Sequence, residues 1–132
     1  MTRFLVIVIC FLFSLKSSAQ FGQGFVNVEN GRLFYQRQGT GHPLLFLHRL
    51  CLDHQMWNDQ IGFFSTMFTC ITVDLRGYGK SSVPSGPYSF HEDLNILLDS
   101  LRIREPVTII ALSMGGKAAV NFSLAFANFP CH

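Results

Sequence analysis

The stretch Ala111-Leu112-Ser113-Met114-Gly115-Gly116 constrains this chain more than any other. The strand-like run Val107-Thr108-Ile109-Ile110 leads into it, and Lys117-Ala118-Ala119-Val120-Asn121-Phe122, which reads as a helix, leads away. A strand that turns directly into a helix at a serine makes three demands. The turn is so sharp that Ser113 must take a strained, positive-φ conformation, which lifts its hydroxyl clear of the sheet. The residues two before and two after it must be small, because strand and helix backbones nearly touch there. Ala111 and Gly115 meet that demand, and Gly116 is expected to give further clearance. The serine also sits at a helix N-terminus, where free N–H groups and the helix dipole favour developing negative charge. Such a serine is placed to act as a nucleophile.

The rest of the chain alternates strands with helices. Phe25 to Glu29 alternates apolar and polar residues, Asn30-Gly31 follows, and Arg32 to Gln38 continues as a second strand. Asn-Gly between two such runs predicts a hairpin. Leu44-Leu45-Phe46-Leu47 is continuously apolar, as expected of a strand covered on both faces of a parallel sheet. Asp53 to Phe68 has Trp57, Ile61, Phe64 and Phe68 at helical spacing, which predicts one helix. Cys70-Ile71-Thr72-Val73 is a further buried strand, and the proline- and serine-rich Lys80 to Tyr88 is a surface loop. Ser89 and Glu92 predict a capping box for a helix that buries Phe90, Leu94, Leu97, Leu98 and Leu101 and is stopped by Pro106. The order is that of one α/β domain, a mostly parallel sheet opened by an antiparallel hairpin.

Residues 1–19 stand outside this domain. A short basic start, an apolar run from Phe4 to Leu15, and Ser17-Ser18-Ala19 before Gln20 predict a secretory signal peptide cleaved after Ala19. The apolar run is too short to span a bilayer, so no stable membrane insertion is expected after cleavage, and the product is exported to a periplasm or the extracellular space. Of ten basic residues, Arg3 and Lys16 belong to this segment, and the remainder balances the eight acidic ones. No basic patch is left to bind nucleic acid. Cys51, Cys70 and Cys131 remain; Cys51 follows the end of one strand and Cys70 begins the next, so the two are expected to stay apart. No cysteine or histidine spacing suggests a metal site, and no cofactor is expected.

Four signals in order carry a resemblance. They are Pro43-Leu44-Leu45-Phe46-Leu47-His48, Leu52-Asp53-His54-Gln55-Met56-Trp57, Asp74-Leu75-Arg76-Gly77-Tyr78-Gly79-Lys80-Ser81, and the turn at Ser113. Residues 25–130 resemble the N-terminal half of α/β-hydrolase fold proteins, and look most like the esterase and enol-lactonase branch. A serine rather than an aspartate at 113 argues against the branches that attack with a carboxylate. The fold implied is an α/β-hydrolase fold truncated after the helix that follows Ser113, over residues 20–132.

The resemblance implies that Ser113 attacks the carbonyl of a small ester, lactone or thioester, forming an acyl-serine. The oxyanion is held by the backbone N–H groups of Met114 and Leu50. His48 shapes the oxyanion loop and is not the base, Asp74 caps the Arg76-Gly77 turn, and His54 and His91 face solvent. Arg49 stands where the family usually has glycine, bringing a Cβ and a long cationic chain into the mouth of the site. The catalytic acid and base lie in the half of the family fold beyond this chain. Two alternatives stay open: a catalytically inactive truncated remnant, and a secreted module that binds a small molecule without chemistry.

Overall fold

A computed structural model describes residues 21–127. The expected signal peptide, Cys131 and His132 lie outside the described residues. Five strands, β1 (Gly22–Val28), β2 (Gly31–Gln38), β3 (Pro43–Leu47), β4 (Thr69–Val73) and β5 (Thr108–Ala111), form one sheet in the order β1-β2-β4-β3-β5. The hairpin β1/β2 closes at Asn30, which takes a left-handed φ of 55°, and joins β4 antiparallel. β3 then pairs parallel with β4 on one side and β5 on the other. The sheet is therefore mixed: its helix-connected part is parallel, and the hairpin is added antiparallel.

The apolar runs sort by the two-residue period of a strand. Every residue of β3 and β4 is buried. Leu45, Leu47, Ile71 and Val73 face α2 (Phe90–Ser100) and α3 (Met114–Ala125), where Leu94, Leu97, Leu98, Ala118 and Phe122 complete one core. Leu44, Phe46 and Cys70 face the other way, onto Trp57, Ile61, Phe64 and Phe68. Each of these large side chains contributes roughly 1.5–3 kcal/mol by leaving water. Cys70 and Cys51 do not pair with each other, as expected, and burial pushes the Cys70 thiol up to about 11.

Three local expectations are corrected. The single helix over 53–68 is a 3-10 turn at His54–Trp57 followed by α1, Asn58–Phe64. Asp53 accepts the Gln55 N–H at 2.8 Å and starts the turn. After α1 the carbonyls of Ser65 and Phe68 pack against Gly39, whose φ of +85° and lack of a Cβ that approach requires. The capping box of α2 does not form: Ser89 occupies the N-cap position, but its hydroxyl makes no cap bond and is buried without a partner among the described residues. Nor does Pro106 stop this helix. Arg102 takes a left-handed φ of 57°, with Arg102 N–H donating to Asp99 and Ile103 N–H to Leu98. That is a Schellman ending, here built on arginine instead of glycine.

Candidate active site

β5 ends at Ala111 and α3 begins at Met114, so one tight connection must turn the chain. Ser113 makes that turn at φ 53°, ψ −112°, a conformation that disfavours any residue with a Cβ. The helix is seated directly on the sheet. Leu112 N–H donates to the Leu47 carbonyl at 3.2 Å, and a Cβ on Gly115 would lie 2.5 Å from the Leu47 oxygen and 2.8 Å from the His48 oxygen. Gly115 is therefore the indispensable small residue. Gly116, expected to add clearance, has nothing within 4 Å of its would-be Cβ. Ser113 is exposed, and its hydroxyl has no hydrogen-bond partner among the described residues.

Beside it runs the loop that follows β3. Because Leu47 pairs with Ala111, this loop and Ser113 emerge side by side from adjacent parallel strands. His48 is fully buried and both its ring nitrogens are engaged. Nε2 accepts the Leu75 N–H at 2.9 Å, so Nδ1 carries the proton and donates to the Arg49 carbonyl at 2.8 Å. The same carbonyl accepts the Leu52 N–H at 3.3 Å, closing a turn over Arg49–Leu52 with Cys51 at φ 63°. A positive φ at the third residue is the type II pattern, in which the second residue's N–H is left outside the turn's own bond. That second residue is Leu50. The Met114 N–H, at the first position of α3, likewise has no intrahelical acceptor. Arg49 is absent from the left-handed positions, so its Cβ is accommodated without backbone strain.

Cys51, by contrast, holds a conformation that favours glycine. Cys51→Gly is expected to stabilise the protein by about 1 kcal/mol, by relieving the left-handed strain of a residue with a Cβ. Chemical denaturation checks this: an unchanged or lower midpoint would show that the Cys51 side chain contributes more than its backbone strains.

A buried polar layer supports both loops. Asp74, fully buried after β4, does not cap the Arg76-Gly77 turn as expected; one carboxylate oxygen accepts the Lys80 N–H at 2.8 Å. The other accepts both the backbone N–H and the Nδ1–H of His54, each at 2.7 Å. His54, expected to face solvent, is therefore buried, tying the turn after β3 to the turn after β4. A Cβ on Gly79 would collide with the Asp74 carboxylate, so that position also needs glycine. Asp53, His54 and Asp74 bring three potential metal ligands within 4.8 Å, but each has a hydrogen-bonding duty within the protein. Arg76 is buried too, with its guanidinium bidentate on Asp93 and donating to the Glu29 carbonyl. Burial pushes the Asp93 carboxyl above its ordinary value, with Arg76 pulling it down and Glu92 adding to the rise. Reading by motif missed His54 and Asp93, because no local spacing marks a pair 20 or 17 residues apart.

Among the described residues, no histidine is hydrogen-bonded to Ser113. His42 Nε2 lies 2.9 Å from the Thr108 hydroxyl, His48 and His54 are engaged as above, and the half-buried His91 ring packs against Phe126. A cleft of about 530 Å³ lies between Cys51–Met56 and Gly77–Gly79; neither Ser113 nor Leu50 lines it. The described candidate site is thus an exposed serine on a strained turn, with the Leu50 N–H on the adjoining loop and the Met114 N–H at the start of α3.

The comparisons bear on the fold that carries this site. A 3-oxoadipate enol-lactonase of Acinetobacter baylyi is 40% identical over 82 residues, covering 60% of this chain and 30% of the relative. The crystal structure of a bromoperoxidase from Bacillus anthracis superposes with a TM-score of 0.77 at 26% identity, covering 84% of this chain and 42% of that one. A thermophilic esterase from Thermogutta terrifontis gives a TM-score of 0.72 at 30% identity, over 86% and 43%. The chain spans about a third of the length of the curated relatives it matches. Residues 42–129 match the family described as alpha/beta hydrolase fold. With the mixed sheet, the strained serine and the loop beside it all in place, the chain belongs to the alpha/beta hydrolase fold family, of which it covers part of the fold.

Proposed function

We propose that this chain carries the nucleophile and oxyanion half of a serine hydrolase that cleaves a small carboxylic ester, lactone or thioester. The observation that carries the reading is Ser113 at φ 53° on the turn between β5 and α3, beside a loop whose Leu50 N–H lies outside its own turn bond. The Ser113 hydroxyl attacks the carbonyl carbon, giving its proton to a base. The carbonyl oxygen becomes an oxyanion held by the Met114 and Leu50 N–H groups, and collapse expels the leaving group from an acyl-serine. Water then releases the acid. Relatives named as an enol-lactonase and an esterase support this substrate class. The expected export of the chain would place the substrate outside the cytoplasm. We place the base outside residues 21–127, since His42, His48 and His54 hydrogen-bond elsewhere and the His91 ring packs against Phe126.

A serine without a base is a weak nucleophile, and a partial site retains roughly 10³–10⁴ of acceleration over water. The chain alone is therefore expected to give little hydrolysis of an activated acetate ester. Joining residues 20–130 to the carboxyl-terminal half of a family esterase is expected to raise the rate by about 10³ or more, and Ser113→Ala in that chimaera to abolish it. A chimaera that turns over equally well with Ser113→Ala would overturn the reading. So would robust Ser113-dependent turnover by the unmodified chain, which would place a base within residues 21–127.

A further inference from the structure

We infer that Arg49 selects substrates bearing a second, negatively charged group, a carboxylate, so that the site takes half-esters or acidic lactones of dicarboxylic acids. This inference rests on the reading of Ser113, Met114 and Leu50 as the reacting site. Arg49 is adjacent in the chain to one oxyanion donor and emerges from β3 beside the strand that delivers Ser113. Its backbone is pinned, because its carbonyl accepts from both His48 Nδ1 and Leu52 N–H. Its side chain is exposed and enters none of the ion pairs among the described residues.

Several other cations are engaged or lie elsewhere. Arg76 is closed on Asp93, Arg104 on Asp99, Arg32 lies over the Phe25 ring and Lys80 over Phe34. Arg37 sits on β2, separated from β3 by β4, and Arg102 at the end of α2. Lys117 lines a different cavity with Tyr88, His91 and Asn121. Arg49 is thus a cation outside those ion pairs, on an exposed side chain whose backbone is fixed next to Leu50. A guanidinium there presents a fork that matches a carboxylate bidentately. Asp53, the nearest acid in sequence, is occupied capping Gln55 and does not pair with it. Anchoring a remote carboxylate on this side chain would help align the ester carbonyl under the two N–H groups, because ordering the substrate at one end lowers the cost of positioning the other.

The test uses the full chain and two probes, monomethyl glutarate and the neutral methyl butyrate, titrated while backbone amide shifts are followed. Monomethyl glutarate is expected to move the Leu50 and Met114 amides and to bind about tenfold more tightly than methyl butyrate. High salt should narrow the difference, because the pair is exposed. Arg49→Gln is expected to erase the preference and Arg49→Lys to keep part of it, since lysine retains the charge but loses the fork. If both probes move Leu50 and Met114 equally, or if Arg49→Gln keeps the preference, the role of Arg49 is overturned while the site reading stands. If neither probe moves those amides, the site reading fails and the inference falls with it.

Discussion

Gly115→Ala is expected to destabilise the protein by about 3 kcal/mol, while Gly116→Ala, one residue later, is expected to be neutral or to stabilise it by up to about 1 kcal/mol. Both positions lie in the first turn of α3, and both changes favour a helix by propensity. The difference comes from what a methyl group meets. At Gly115 it meets the Leu47 carbonyl oxygen at 2.5 Å, its carbon at 2.8 Å and the His48 oxygen at 2.8 Å. Those atoms are backbone, and β3 is clamped on both sides by β4 and β5, so nothing small can give way. The helix must instead lift from the sheet, carrying Ser113 and the Met114 N–H away from the loop of Leu50. At Gly116 the methyl meets open space. Paired chemical-denaturation curves decide the matter, and equal midpoints for the two variants would show that the helix is not seated as described.

The second large effect is expected at the buried ion pair. Asp93→Ala should cost about 3–5 kcal/mol, because it leaves the Arg76 guanidinium, 1% exposed, without its bidentate partner. Replacing both residues, as in Arg76→Met with Asp93→Leu, should recover most of the loss, since a buried pair offsets its own desolvation only narrowly. The titration of Asp93 points the same way. Its carboxyl is held above its ordinary value, chiefly by burial, so the folded state binds that proton more readily than the unfolded chain does. Its contribution to stability is therefore greatest at low pH and is lost as pH rises through the raised value. A double-mutant cycle followed by urea unfolding measures this. A loss below about 1 kcal/mol for Asp93→Ala alone would mean that water reaches Arg76 in solution.

Much of the site was legible along the chain because its demands are local. A serine between a β-branched run and a helix, with a small residue two positions on either side, specifies a strained connection whatever surrounds it. The continuous apolar runs of β3 and β4 likewise announce segments covered on both faces, and their shortness favours strands over helices. Other features could not be read this way. Whether His54 faces water or Asp74 depends on two loops meeting, and those loops belong to different strands whose order in the sheet is a tertiary outcome. The same holds for Asp93, which in its own helix is one more acid of the first turn and becomes a buried counter-ion only when α2 packs beside Arg76. Glycine roles divide along that line as well. The sequence marks Gly115 as the small residue two positions after the serine, but expected clearance from Gly116 as well, and only the position of the Leu47 carbonyl makes one indispensable and the other free. The sequence by itself determined where a strained, exposed serine had to stand. The packing of β3 against β5 and α3 decided which N–H groups stand beside it, because donors from separate segments converge only once those segments are stacked.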